Sequence, residues 1–175
     1  MEDLILIRPT AEYAERIMDC KKEYISAESS MDGCGPLRRT DDPKEYIEKI
    51  MIEECPETCP PPLVPATQFM LVRKSDDKIL GFLQVRHCFN DYLEKYGGHI
   101  GYSVRPTERR KGYAKTMLGL ALPYCKKIGL EKVLITCIDG NIGSEKTILA
   151  NGGIYESTAH EPDRNVDLKR FWINL

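Results

Sequence analysis

The segment at residues 109–114 joins a predicted strand to a predicted helix, and this transition constrains the fold more than any other part of the sequence. The strand covers residues 99–104, the segment reads Arg-Arg-Lys-Gly-Tyr-Ala, and a long stretch with an apolar stripe at helical spacing follows. The first N–H groups of a helix lack intrahelical partners and lie at the positive end of the helix dipole, so a helix start of this kind attracts anions such as a pyrophosphate. Gly112 permits a positive φ and a close approach of the backbone to such an anion. A basic surface turn that merely caps a helix is the alternative interpretation.

Periodicity and turn signals on either side of this segment predict a single mixed α/β domain over residues 1–175. Helices are expected after the caps Thr10 and Asp42, after Gly112, and at residues 144–150, with Pro123 kinking the third of them. Five prolines between residues 55 and 65 predict an irregular loop. Strands are expected at residues 4–8, 68–74, 78–86, 99–104, 132–138, 154–157 and 167–173. This order predicts a largely antiparallel sheet of six to seven strands flanked by about four helices.

Composition and cysteine usage indicate a soluble protein of a reducing compartment. Of the residues, 42% are hydrophobic and 30% are charged, and no apolar run is long enough to span a membrane. The first residues lack the pattern of a secretory signal. The 7 cysteines are an odd, scattered set, which argues against a disulfide framework and favours the cytoplasm. Cys55 and Cys59 have no second pair at zinc-like spacing, so no metal site is predicted.

The charge is distributed unevenly along the chain. Residues 1–66 contain 8 basic and 15 acidic residues, whereas residues 67–175 contain 17 and 12. A basic second part suits a phosphorylated ligand, and an acidic first part suits a cationic amine, although solvated helix faces would produce the same counts. The net charge of -2 disfavours a nucleic-acid partner.

The motif Arg109-x-x-Gly112-x-Ala114 resembles the Q/R-x-x-G-x-G/A motif of the GNAT superfamily of acetyl-CoA-dependent acyltransferases. The predicted elements from about residue 4 to the C-terminus also follow the order of that family. The resemblance implies a GNAT-like sheet whose central strands splay apart, with the pantetheine arm of acetyl-CoA lying in the gap. A P-loop phosphotransferase is excluded, because Lys111 and Gly112 lack the flanking residues of that motif.

The resemblance implies a set of residues that bind acetyl-CoA, the expected cosubstrate. Backbone N–H groups of the glycine turn would hold the pyrophosphate, and the basic side chains there would add charge-assisted contacts. The end of the fourth strand would pair with the pantetheine, and an N-x-x-S element at the next helix would contact it, although that element could also be only a turn and a cap. The implied residues are Ser103, Val104, Arg109, Arg110, Lys111, Gly112, Tyr113, Ala114, Asn141 and Ser144.

The candidate acid and base depart from the family pattern. Many members carry a tyrosine seven residues after that asparagine to protonate the leaving thiolate, but Ile148 stands there, and Tyr155 is the candidate substitute. Members often carry a glutamate early in the fourth strand, where this chain reads Gly97-Gly98-His99. His99 is the candidate base because its ordinary pKa suits proton transfer near neutral pH, with His87, a water chain or no dedicated base as alternatives.

The sequence therefore predicts transfer of an acetyl group to an amine by direct attack in a ternary complex, without a metal. The oxyanion would be met by a backbone N–H near Val104. The acceptor is a small-molecule or peptide amine, and the protein acts as a monomer or a homodimer without a nucleic-acid or membrane partner. A non-catalytic acyl-CoA sensor on the same fold is the alternative.

Overall fold

Seven strands form two antiparallel sheets that meet at one point. In the computed structural model, which describes residues 3–175, the first sheet has the order β1-β2-β3-β4 and the second the order β5-β7-β6. The strands are β1 Leu4–Ile7, β2 Ala66–Arg73, β3 Lys78–Arg86, β4 Ile100–Val104, β5 Lys132–Ile138, β6 Ile154–Glu161 and β7 Val166–Asn174. The expectation that the first residues lack a secretory signal rests in part on residues 1 and 2, and these two lie outside the described residues.

Within residues 3–175, four α-helices cover the two sheets: α1 Ala14–Ser26, α2 Pro43–Glu54, α3 Tyr113–Lys127 and α4 Ile142–Leu149. Asp42 caps α2 as predicted, with its carboxylate accepting a hydrogen bond from the backbone N–H of Lys44 at 2.8 Å. The predicted cap at Thr10 is wrong, because a turn of 3-10 helix, Ala11–Tyr13, precedes α1 and the Thr10 side chain makes no cap hydrogen bond. No helix in residues 3–175 has the length and apolarity to cross a bilayer.

The core consists of two layers on opposite faces of the first sheet. On one face α1 and α2 bury a cluster that includes Ile17, Tyr46 and Phe82. On the other face α3 packs its apolar stripe, Met117, Leu118, Ala121 and Cys125, against β3, β5 and β7. The prediction of a core-facing stripe on this helix is confirmed, and Pro123 is accommodated on the exposed side of the helix.

The two sheets touch at the start of β4 and separate beyond it. An isolated bridge joins Gly98 to Ile135, and the backbone N–H of His99 donates to the Leu134 carbonyl at 2.7 Å. No ladder continues between β4 and β5 within residues 3–175, so β4 is the edge strand of its sheet. The predicted splay of the central strands is therefore present, and it opens a cleft along β4.

Candidate active site

A cavity of about 910 Å³ follows the cleft from the N-terminus of α3 to the start of β4. It lies in the upper part of the size range of small-molecule sites. Its anion end is the turn before α3, and its middle lies between β4, β5 and the N-terminus of α4. We name the remaining part the distal end, which is lined by residues Asp32, Arg86, Tyr92, Tyr96 and Arg164.

The anion end has the backbone geometry that the sequence predicts. Gly112 caps α3 with φ 86°, and a Cβ built there would meet no atom within 4 Å. The first intrahelical hydrogen bond runs from the Thr116 N–H to the Gly112 carbonyl, so the N–H groups of Ala114 and Lys115 lack intrahelical partners. The structure thus places backbone donors without intrahelical partners at an open helix start that lines the cavity.

The basic side chains of the turn are used differently from one another. The Arg109 guanidinium donates to the Val104 carbonyl at 3.1 Å and also to the Ser29 hydroxyl, so it ties the turn to the chain after α1. Lys111 lies outside the cavity lining, and its ammonium donates to Glu108 at 2.8 Å. Arg110 lines the cavity, is exposed, and makes no hydrogen bond or ion pair within residues 3–175. Of the three cations, Arg110 is free to meet an anion.

Glu108 neutralises part of the positive charge beneath the turn. Its side chain is buried and lies 2.6 Å from the Lys78 ammonium. Burial alone would raise the pKa of Glu108, but the hydrogen bonds from Lys111 and Lys78 outweigh it and hold the pKa at about 2. This carboxylate stays charged at neutral pH and fixes the cations that surround the turn.

The middle of the cavity joins β4 to α4 through two side chains. The Tyr102 hydroxyl and the Ser144 hydroxyl are 2.9 Å apart, and the Asn141 carboxamide oxygen accepts from the Ser144 backbone N–H at 3.1 Å. Burial raises the pKa of Tyr102 to about 12, so its hydroxyl carries a proton at neutral pH. Asn141 therefore caps α4 by accepting from the Ser144 N–H, and both residues also line the cavity.

Most of the residues implied for acetyl-CoA come together along this one cavity. Of the ten, only Lys111 is outside the lining. The side chain of Ser103 lies near Cys34, with Oγ and Sγ 3.5 Å apart, so Ser103 offers the cleft its backbone. The lining residues that were predicted are Ser103, Val104, Arg109, Arg110, Gly112, Tyr113, Ala114, Asn141 and Ser144.

The structure places the predicted base, His99, outside the cavity. His99 is buried between the Phe89 and Trp172 rings, and its Nδ1 accepts a hydrogen bond from the Leu134 backbone N–H at 2.9 Å. Burial and the Arg86 charge lower the pKa of His99 to about 4. The side chain is thus a neutral core group that has no contact with the cleft, which argues against the predicted role.

The predicted acid, Tyr155, also lies away from the cavity. Its side chain is 53% exposed on β6, and its hydroxyl is 2.9 Å from that of Thr158. His87 is no nearer, because its Nε2 is bonded to the Thr67 hydroxyl at 2.8 Å, and Ile148 is fully buried. Sequence reasoning missed Tyr102, although its position between Gly101 and Ser103 on the predicted fourth strand was a usable signal.

The acidic first part of the chain contributes little to the cleft. Asp19 and Glu23 are paired with the buried Arg105, at 2.6 and 2.5 Å. Glu28 and Asp32 are the acidic side chains from residues 3–66 that line the cavity. The expected attraction for a cationic amine therefore rests on these two positions.

Strand order, the splay between β4 and β5, and a free helix start at the cleft define the class of an acyl-CoA-dependent acetyltransferase. The family model of the acetyltransferase (GNAT) family matches residues 33–150. The chain belongs to this family, which confirms the predicted fold, the enzyme class and acetyl-CoA as the cosubstrate.

Solved structures with the same fold include several acetyltransferases of low sequence identity. The ribosomal-protein-S5-alanine acetyltransferase of Vibrio fischeri is 16% identical with a TM-score of 0.75, over 99% of this chain and 94% of that one. The microcin C7 self-immunity acetyltransferase MccE, in complex with acetyl-CoA and AMP, is 22% identical with a TM-score of 0.69, over 100% and 94%. RimL, a ribosomal L7/L12 α-N-protein acetyltransferase in complex with coenzyme A, is 13% identical with a TM-score of 0.72, over 98% and 94%. No curated protein sequence matches the chain.

Proposed function

We propose that this protein transfers the acetyl group of acetyl-CoA to a primary amine by direct attack within a ternary complex. The observation that carries the proposal is the single cavity that connects the free helix start at Gly112, the edge of β4 and the distal end. Acetyl-CoA can lie along the helix start and the edge of β4 while the amine enters from the distal end. Holding both reactants in one cleft removes most of the entropic cost of their encounter.

The pyrophosphate of acetyl-CoA would bind the N–H groups of Ala114 and Lys115 at the start of α3, with Arg110 adding charge. The pantetheine would follow the unpaired edge of β4 past Ser103 and Val104. A backbone N–H of this strand near Val104 would meet the oxyanion as the amine attacks the thioester carbonyl. The C–N bond forms, the C–S bond breaks, and the thiolate of CoA leaves.

Tyr102 is the proton donor that fits this arrangement. Its hydroxyl lines the cavity, is protonated at neutral pH because burial raises its pKa, and is held by Ser144. The proton of the attacking amine would pass to water or to Asp32, since none of the three histidines lines the cavity. Catalysis would then depend on positioning and on the backbone donor more than on a dedicated base.

The test is release of CoA thiol from acetyl-CoA by the purified chain with a panel of primary amines. Acetylation of at least one amine, lost on replacing Ala114 with tryptophan, is the expected result, because Ala114 lines the anion end. Tight CoA binding without turnover on any amine would favour the alternative of an acyl-CoA sensor. The acceptors named for the structural neighbours are ribosomal proteins in two cases, so protein N-termini belong in the panel beside small amines.

A further inference from the structure

Arg86 is a partly buried cation at the distal end without an anionic partner. It follows the last core residues of β3, and its backbone N–H donates to the His99 carbonyl at 2.7 Å, which places it at the start of β4. No carboxylate in residues 3–175 forms an ion pair with it. Burial lowers the pKa of Arg86, and the charges of Asp32 and Tyr92 act against this effect. An unpaired guanidinium in such a place is costly unless a ligand compensates it.

Half of the guanidinium is held by the protein and half is left open. Nη1 donates to the carbonyls of Gly98 at 3.0 Å and Gly97 at 3.3 Å. Nη2 and Nε make no hydrogen bond within residues 3–175, and Nη2 lies over Gly101, where a Cβ would come within 3.4 Å of it. Gly101 lines the cavity, so the free edge of the guanidinium is presented next to the strand along which the thioester would lie.

A carboxylate without a cationic partner in residues 3–175 belongs to the segment that covers the same side of Gly101 as Arg86, because a Cβ on Gly101 would meet the Gly33 nitrogen at 3.2 Å and Arg86 Nη2 at 3.4 Å. Asp32 is exposed, lines the cavity, and makes no ion pair within residues 3–175. The next residue, Gly33, packs so tightly on β4 that a Cβ there would lie 2.2 Å from the Gly101 carbonyl oxygen. Arg86 and the segment that carries Asp32 thus lie on the same side of Gly101, and the two residues contribute one positive and one negative group to the cavity there.

The second arginine at this end does not compete for an anion in the same way. Arg164 lies 3.2 Å from the Glu161 carboxylate, which also accepts a hydrogen bond from the Tyr92 hydroxyl at 2.7 Å. Glu161 is buried and Arg164 is half exposed, and the ion pair balances the charge of this arginine. Tyr92 and Tyr96, with ring centroids 5.5 Å apart, provide an aromatic wall beside it. The distal end therefore has one open cation, Arg86, and one open anion, Asp32.

We infer that the acceptor is a small amine that carries its own carboxylate, an α-amino acid or a close analogue, bound through that carboxylate by Arg86 and attracted through its ammonium by Asp32. This inference rests on the proposed function, because it names the acceptor of the same site. A protein N-terminus has an amide where a free amino acid has its carboxylate, and it would leave Arg86 unpaired. Charge complementarity of this kind selects among amines that are otherwise alike.

The experiment compares each of several L-amino acids with its carboxamide and with a tripeptide that begins with the same residue. Binding to the CoA-bound protein is measured by calorimetry, and turnover is measured by thiol release. We expect the amino acid to bind and react about 10- to 100-fold better than its carboxamide, the size of one charge-assisted hydrogen-bonded pair. Amine reactivity opposes this order, because an α-amino group next to an amide, with a pKa of about 8, loses its proton more readily.

Arg86→Gln is expected to abolish the preference for the carboxylate while CoA affinity stays within about threefold of the wild type, since Arg86 is remote from the anion end. Arg39→Gln, at an exposed arginine outside the cavity, is the matched control and should retain the preference. If Arg86 only held the turn at Gly97, its replacement would lower binding and turnover equally for all acceptors. The ratio between amino acid and carboxamide would then stay unchanged.

The inference is overturned if amino acid and carboxamide bind equally, if the tripeptide is preferred, or if Arg86→Gln leaves the ratio intact. Its failure is distinguishable from failure of the proposed function. Turnover of amines without a carboxylate preference would remove only the inference, whereas preferential binding of amino acids without any turnover would remove only the transfer reaction.

Discussion

Replacing Gly112 with glutamate should destroy acetyl-CoA binding at little cost to the fold. The Cβ at this position meets no atom within 4 Å, so the protein itself has room for the side chain. The added carboxylate would occupy the space at the free N–H groups and repel a pyrophosphate there. The positive φ of 86° makes any residue with a Cβ strained, by about 1–2 kcal/mol. For a chain of this size, that strain lowers Tm by about 2–8 °C.

The effect on affinity is much larger than the effect on stability. Hydrogen bonds to a charged group contribute about 1.5–3 kcal/mol each, so the loss of two weakens binding by about 100- to 10,000-fold. At a concentration 100 times the wild-type Kd, acetyl-CoA stabilises the wild type by about 2.7 kcal/mol, which raises Tm by about 5–11 °C. At the same concentration the variant should gain less than about 2 °C.

Gly129 provides a matched control at the opposite end of α3. It has φ 90°, a Cβ there also meets nothing within 4 Å, and it lies outside the cavity lining. Gly129→Glu carries the same backbone strain and a less favourable interaction with the helix dipole, so it should be the less stable of the two variants. It should nevertheless keep the full thermal shift with acetyl-CoA. If acetyl-CoA raised the Tm of both variants equally, the assignment of the pyrophosphate to the start of α3 would be refuted.

Two further predictions concern the groups that move protons. Tyr102→Phe should lower kcat by 10-fold or more and keep the acetyl-CoA affinity within about threefold of the wild type, whereas Tyr155→Phe should leave both quantities unchanged. Steady-state kinetics measures kcat, and calorimetry measures the affinity. The reverse pattern would return the role of acid to Tyr155. The second prediction concerns His99, whose pKa in the folded protein, about 4, lies below its ordinary value of 6.5. Between these two pH values the native state binds fewer protons than the unfolded state. The stability of the protein therefore falls as the pH drops from about 6.5 to 4. His99→Asn retains an acceptor for the Leu134 N–H, and it should reduce the acid-induced loss of unfolding free energy, measured in urea, by up to about 3 kcal/mol. The variant should also keep its activity at pH 7.5. A large loss of activity at that pH would restore His99 as the base.

The backbone parts of the site could be predicted from the sequence, because they depend on local rules. A strand, a glycine with positive φ and an amphipathic helix are each encoded within a few residues, and together they define the anion end. The same holds for the turn and cap at Asn141 and Ser144, although α4 begins at Ile142, two residues earlier than the predicted helix. Side chains that act from the strand ends could not be found in this way.

His99 and Arg86 show why the side-chain part was out of reach. His99 precedes the fourth strand and Arg86 ends the third, but alternation along a strand fixes only which face a residue takes, not what covers that face. The positive φ of 67° at Gly98 and the bridge to Ile135 turn the chain so that His99 enters the core between two rings. The same turn presents two carbonyls to Arg86, which holds its guanidinium at the cavity. One long-range contact between the sheets therefore removes the expected base from the cleft and places an unpaired cation there instead, so the site is better suited to select an acceptor by charge than to deprotonate it with histidine.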